Sequence, residues 1–488
     1  MNRFTRTAAV CTALALGATG LAGCDFTEGN DVDPNAATTA TPDLLLNGGE
    51  LGQIILQEGD GARISGILAG YFTGSDRQYA AIEEGRQNND DFNGIWANAY
   101  QETLAQLDLA RQAYEAGGNR VGAGIAKVHM ALAYGTLADL FGDVPYTEAL
   151  DAEQFENPAF DSQASVYAGV ISMLNEAIAD LQSKQGSVSP AAEIFYGTTV
   201  GTASANIPNS YIEVAYTLLG RYNLNLQNYA AAEAAAENGI SSPANDLVAP
   251  HGGSLGSNVN QFYEFGVLDR AGYLTANNAF AVRLFANSSN DLTDESERRA
   301  FYYSGATTAA ADLNFDGFFG FDAPFPIVTY AETQLILAEA RLLSDGDQAG
   351  ALTALNEYRD SLDDQFRRIV RNEAGAATDT VGVYEPYTLA DFATGGEANN
   401  GTDSQANALL REILEQKYLA LIGSIQGFTD VRRTDNFIGT PGKNNGQVPR
   451  RFIYPRNEIN ANTSTPNPAP GVDVELPVFA SYTYSGVS

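Results

Sequence analysis

The chain is poor in the residues that most enzyme chemistry needs. It holds two cysteines, Cys11 and Cys24, and two histidines, His129 and His251, in 488 residues. Cys11 lies in an amino-terminal segment read below as removable, and Cys24 has another use. No thiol pair is then left for a disulfide, a cysteine protease or a cysteine-based zinc site. Two histidines 122 positions apart do not make a multi-histidine metal centre. Neither is followed by a serine or aspartate signature of nucleophilic catalysis. Lysine is scarce too: Lys127, Lys184, Lys417 and Lys443 are four of the 27 basic residues. Against 60 acidic residues they leave a net charge of −33. Phosphate contacts need clustered Lys and Arg, so nucleic acid is excluded as a partner. After the amino terminus, no apolar run approaches the roughly 20 residues of a membrane-spanning helix. The one tryptophan, Trp96, sits in a helical apolar pattern and is read as core.

What is present begins at that terminus. Arg3 and Arg6 precede an apolar run from Thr7 to Leu16, and small residues follow. This order is that of a secretory signal peptide. The next stretch, Leu21-Ala22-Gly23-Cys24, resembles the lipobox of bacterial lipoproteins. That resemblance implies cleavage before Cys24 and acylation of its thiol. Three segments are expected: a signal peptide over 1–23, a lipidated tether over 24–43, and one body over 44–488. The tether is polar and Pro-punctuated, with little to bury. Without Arg3 and Arg6 the net charge becomes about −35, which reads as a solvated surface of an exported protein.

From residue 44 the pattern is helical. Trp96, Tyr100, Leu104 and Leu107 recur at helical spacing, and Gly117-Gly118-Asn119 breaks the run. Ile125, Val128 and Leu132 resume it until Gly142 and Pro145, and Val166, Val170, Met173, Ala177 and Leu181 form another amphipathic helix. Residues 211–240 and 329–362 look alike. Each is an apolar helix, a tight polar break (225–228 or 344–347), and a second helix with small residues at the crossing. They are similar to tetratricopeptide units of about 34 residues, which must stack to bury their apolar faces. A last helix holds Leu410, Leu414, Tyr418 and Leu421. Stretches 183–209, 243–327 and 372–405 read as long irregular excursions, and such loops are usually functional.

Four separated stretches resemble the SusD/RagB family of nutrient-binding outer-membrane lipoproteins. They are Gly142-Asp143-Val144-Pro145-Tyr146-Thr147-Glu148-Ala149; Thr329 through Ala340; Ile413 through Arg433; and Pro449 through Glu458, with Asn462 after it. The resemblance implies a mainly α fold of about four tetratricopeptide-like hairpins, with the loop excursions packed on one side. It implies a cell-surface lipoprotein of the outer membrane with no catalytic activity and no cofactor. It further implies a glycan or peptide nutrient as ligand, and a SusC-like TonB-dependent transporter as the partner it covers like a lid. Glu332, Glu339, Arg432, Arg433 and Arg450 are expected in buried or half-buried ion pairs.

Sugar recognition needs aromatic faces beside polar side chains. Tyr263, Tyr273, Tyr302 and Phe318 of the long loop, with Tyr71 and Tyr79 flanking an early break, are the ligand candidates. Any single loop aromatic serves more often to anchor the loop. Asp312-Leu-Asn314-Phe-Asp316-Gly317 matches the start of an EF-hand calcium loop, but the twelfth position is Ala323, with Asp322 one residue early. An Asx turn competes with that reading. Two rivals to the nutrient-binding reading are a tetratricopeptide scaffold that binds only protein, and an acidic extracellular glycosidase with paired carboxylates.

Overall fold

Helices start where the side chains let them. In the computed structural model, which describes residues 40–197, 206–253, 258–371, 377–381, 383–443, 446–480, 484 and 487, most long helices carry a polar cap. Asn119, Ser162, Thr329, Asp347 and Ser404 each accept a hydrogen bond from the first turn that follows. Such a cap satisfies one of the helix's orphan N–H groups. Leu21–Cys24 and the tether to residue 39 lie outside the described residues.

Among the described residues, four helical hairpins form the scaffold, all within the unit Pro42–Ser488. The first pairs α1 (Pro42–Glu58) with α3 (Ala105–Ala116); between them in sequence lies α2 (Asp60–Ala69). Helix α3 continues from Asn93–Ala97 through a π-helical stretch, Asn98–Leu104. The second pairs α4 (Arg120–Phe141) with α5 (Gln163–Gln182), and the third α6 (Ile207–Asn225) with α7 (Tyr229–Ala236). The fourth is α8 (Tyr330–Ser344) with α9 (Gln348–Gln365). The breaks at 225–228 and 344–347 fall where the polar residues place them. Close crossings use glycine: a Cβ on Gly52 would stand 2.9 Å from Glu102 O, and one on Gly135 would meet the Tyr222 ring.

Two expectations change. Helix α10 (Gln405–Ala420) is not the last, because α11 (Ile425–Arg433) follows it. Gly423 takes a left-handed φ of 86° and Ser424 caps the new helix, so chain direction changes within a few residues. The stretch 243–327 is not structureless. It contains the helices Phe280–Asn287 and Ser296–Tyr302, each under two and a half turns and too short to show a clear period. It is also stitched to the scaffold by short antiparallel pairs: Leu247–Ala249 with Phe325–Val328, and Thr73–Gly74 with Leu274–Thr275.

Of the five residues expected in ion pairs, Glu332, Glu339, Arg433 and Arg450 form them and Arg432 bonds no carboxylate among the described residues. Arg433 grips Glu339 with two bonds of 2.7 Å and reaches Asp430 at 2.6 Å. Lys417 completes this buried knot, 3.1 Å from Asp430. Glu332 pairs with Arg221 at 2.6 and 2.7 Å, a partner on α6 that no local pattern marks. Arg432 donates to the carbonyls of Asp139, Phe428 and Arg450 and lies 4.0 Å over the Phe428 ring. With no carboxylate bonded to it, burial pushes its guanidinium down to about 10. Arg450 forms half-exposed contacts to Asp435 and Glu475.

Candidate functional site

The six ligand candidates take three different places. Tyr71 is fully buried; its hydroxyl donates to Tyr418 O at 2.8 Å and its ring lies 4.4 Å from that of Tyr418. Tyr79 is buried as well. Its hydroxyl donates to Asp60 at 2.9 Å and accepts from Arg63, which sits over Phe265. Both rings are covered by protein, because the early break they flank folds back onto α2 and α10. Tyr263 and Tyr273 are half-buried surface aromatics, packed edge-on against Phe321 and Phe265 respectively. Tyr302 and Phe318 come together, ring centroids 4.7 Å apart, in the wall of one cavity.

That cavity has a volume of about 310 Å³. Phe301, Phe366 and Tyr358 extend its aromatic surface, with Phe301 5.6 Å from Phe366. Its walls come from the loop excursion on one side and from α8 and α9 on the other. It adjoins a wider cleft of about 680 Å³, since Asp246, Tyr358, Leu362 and Gln365 line both. Exposed Glu357, Asp360 and Asp364 of α9 and the half-buried Tyr330 line the cleft.

Polar groups converge on the aromatic part. Arg298, 1% exposed, donates to Tyr358 Oη and to Gln416 Oε1, both at 2.8 Å, and stands 3.5 Å from buried Glu295. Its Nε–H has no hydrogen-bond partner, an unusual state for a buried donor. Asp246 accepts from the Tyr330 amide at 2.7 Å, at the amino end of α8. Burial pushes its carboxyl up to about 8, against the pull of that amide. At neutral pH it is therefore mostly a neutral acid, able to donate as well as accept. Aromatic faces with a spare guanidinium donor, a protonated carboxyl, an amide and exposed carboxylates suit a polyhydroxylated ligand.

Arg298, Asp246, Tyr330, Tyr358 and Gln365 were not anticipated from sequence. Arg298 carried one signal: it is followed by aromatics within a short helix in an otherwise acidic chain. The other four belong to elements read correctly as scaffold, or to its margin, and nothing local distinguishes them.

Other candidates are resolved by geometry. Asn314 Oδ1 accepts from the Asp316 amide at 3.0 Å, and Asn314 Nδ2 donates to Ala300 O at 2.7 Å. Asp312 accepts from the next amide in the chain, and Asp322 is exposed. The stretch is an Asx turn tied to a helix, and no group of three or more His, Cys, Asp or Glu among the described residues is placed to hold a metal. His129 is buried against Tyr211 Oη at 2.9 Å, and burial lowers its pKa to about 3. His251 pairs with buried Glu58 at 2.8 Å. Trp96 is core, donating to Glu458 at 3.1 Å. No helix among the described residues is long and apolar enough to cross a membrane.

Comparison with known proteins bears on the whole chain. A SusD-like family model, described as "Starch-binding associating with outer membrane", matches residues 34–203 and 273–455. A SusD/RagB family protein from Bacteroides thetaiotaomicron is 20% identical, with 87% of this chain and 95% of that one covered at a TM-score of 0.62. A SusD homolog from Bacteroides uniformis is 18% identical, with 86% and 94% covered at 0.65. A chitin-binding SusD homolog from Flavobacterium johnsoniae is 14% identical, with 86% and 94% covered at 0.60. No curated protein matches. The mainly helical hairpin architecture expected from sequence is the fold of these structures, and the chain belongs to the SusD-like family.

Proposed function

We propose that this protein is a glycan-binding lipoprotein of the outer-membrane surface that passes its ligand to a SusC-like TonB-dependent transporter. The observation that carries the ligand class is the cavity where Tyr302 and Phe318 meet Arg298, with its spare Nε–H, and open onto a cleft of carboxylates and Gln365. Family membership supports the same class, and one structural neighbour is itself described as chitin-binding. Cys24 is the lipid attachment point, residues 1–23 the removed signal, 24–43 the tether and 44–488 the binding body. The protein binds without turnover, and the ligand needs no cofactor to be held.

Calorimetry with maltooligosaccharides and chitooligosaccharides tests this reading. The protein is expected to bind at least one of them, and the double variant Tyr330→Ala/Gln365→Ala to weaken that binding about tenfold with an unchanged melting temperature. Failure to bind any member of a broad glycan panel overturns the ligand assignment, and hydrolysis of one overturns the non-enzymatic role. Cys24→Ala is expected to release the protein from the membrane fraction.

A further inference from the structure

A groove of about 750 Å³ lies in the helical scaffold, between α3, α4 and α5, with the segment 146–151 as its remaining wall. It shares no lining residue with the cavity or the cleft described above. We propose that this groove is a second carbohydrate-binding site, specific for uncharged sugars. The proposal rests on the glycan reading of the protein but not on the cavity assigned to it.

The floor carries the first reason. Tyr134 of α4 is 3% exposed, yet its hydroxyl makes no hydrogen bond to the described residues. Buried phenols almost always find a partner. Here the hydroxyl is not among the sealed, partnerless polar atoms, so it opens on the groove, where water or a ligand hydroxyl can bond it.

The wall carries the second. Tyr146 stands edge-to-face on Tyr134, centroids 4.7 Å apart. Its ring lies directly over Gly169 of α5, where any Cβ would come within 2.6 Å of it. The backbone beneath is locked: the amides of Tyr146 and Thr147 both donate to Asp161, at 3.0 and 2.8 Å, and Tyr100 Oη donates to Pro145 O. This is the Gly142–Ala149 motif of the sequence. Its Val144 and Pro145 are explained by the short strand they form with Phe160–Asp161. The rigid, half-buried ring of Tyr146 is not needed for that strand. A preorganised aromatic surface beside a free phenol is a sugar-stacking arrangement.

Charge selects the class. Arg111 is spent on Asp108 and Glu115, and Lys127 on Asp180, Glu115 and Glu176. No cation in the groove is left to receive a uronate or a sulfate. The carboxylates nearest Arg111 and Lys127 are occupied in turn, and exposed Asp151 is the carboxylate at the rim that shares no cation among the described residues. A lysine or arginine side chain entering the groove finds no unshared counter-charge beside Tyr134. A neutral polyol finds an aromatic face, two phenols and rim acceptors for its hydroxyls.

The test is calorimetry and ligand-observed NMR on the purified full chain with maltoheptaose and chitohexaose. Two binding events per chain are expected. Tyr134→Phe, which removes a hydroxyl and no packing, is expected to weaken one event about fivefold; Tyr146→Ala is expected to abolish it. The other event is expected to respond to Tyr330→Ala/Gln365→Ala instead. A single event untouched by Tyr134→Phe and Tyr146→Ala overturns the groove and spares the glycan reading. A single event lost in Tyr146→Ala supports the groove and moves the ligand out of the cavity. Absence of any sugar binding overturns both. Displacement of bound sugar by polygalacturonate or a lysine-rich peptide, lost in Tyr146→Ala, overturns the specificity.

Discussion

Arg433 in the scaffold and Arg298 in the loop excursion are both buried, and they spend their hydrogens differently. Arg433 gives its whole fork to Glu339 and Asp430, and Lys417 adds a further positive charge to the same knot. Arg298 bonds neutral Tyr358 and Gln416, stands off its carboxylate at 3.5 Å, and keeps Nε–H free beside a cavity. At this knot the scaffold closes its charges on one another, because a buried unpaired charge costs several kcal/mol. The loop excursion tolerates an unpartnered donor in the wall of its cavity.

The contrast can be broken. Glu339→Ala leaves Arg433 and Lys417 to share Asp430 alone in the core and is expected to cost about 4 kcal/mol in urea unfolding, with no change in glycan affinity beyond lost folded protein. Arg298→Met is expected to cost less, about 2 kcal/mol, because Glu295 keeps Tyr384 and Gln416 as donors. Unlike the first variant, it should lower glycan affinity in the protein that remains folded. Equal costs with no affinity change for Arg298→Met would erase the distinction.

The scaffold also holds a pH-dependent group. Asp139 is buried, accepting from Tyr167 and Asn225, and burial pushes its carboxyl up to about 7. The folded state then holds a proton that the unfolded state releases above its ordinary value near 3.8. This contribution to stability is full below that value and is lost as pH rises to about 7. Unfolding free energy from this group should fall by roughly 4 kcal/mol over that range, and Asp139→Asn should flatten the slope. In the cleft, Glu357→Gln is expected to have the smallest effect. It is exposed, so melting should move little while sugar affinity falls about threefold, near 0.7 kcal/mol.

Much of the scaffold was legible in sequence. Apolar residues at helical spacing marked both late hairpins, and polar breaks marked their turns, because a turn's backbone needs residues that bond locally. The Glu339–Arg433 pair was foreseen as two carriers of buried charge; Arg221, the partner of Glu332, was not, since 111 positions separate them. The short helices Phe280–Asn287 and Ser296–Tyr302 were missed because two turns do not establish a period. At the site, Tyr302 and Phe318 were named and do meet in one cavity, whereas Tyr71 and Tyr79 lie sealed under the same loop that was expected to expose them.

The sequence by itself determined the helical hairpins, the family and how few cysteines, histidines and lysines the chain holds. These follow from periodicity, from ordered motifs and from counts of cysteine, histidine and lysine, all of which are local or additive. Which aromatics line a cavity and which are sealed in the core was decided only by tertiary structure. A ring is covered or open according to neighbours far along the chain, as Tyr71 is covered by Tyr418, 347 positions away. The setting of Arg298 is of the same kind: its partners Tyr358 and Gln416 lie 60 and 118 positions along the chain.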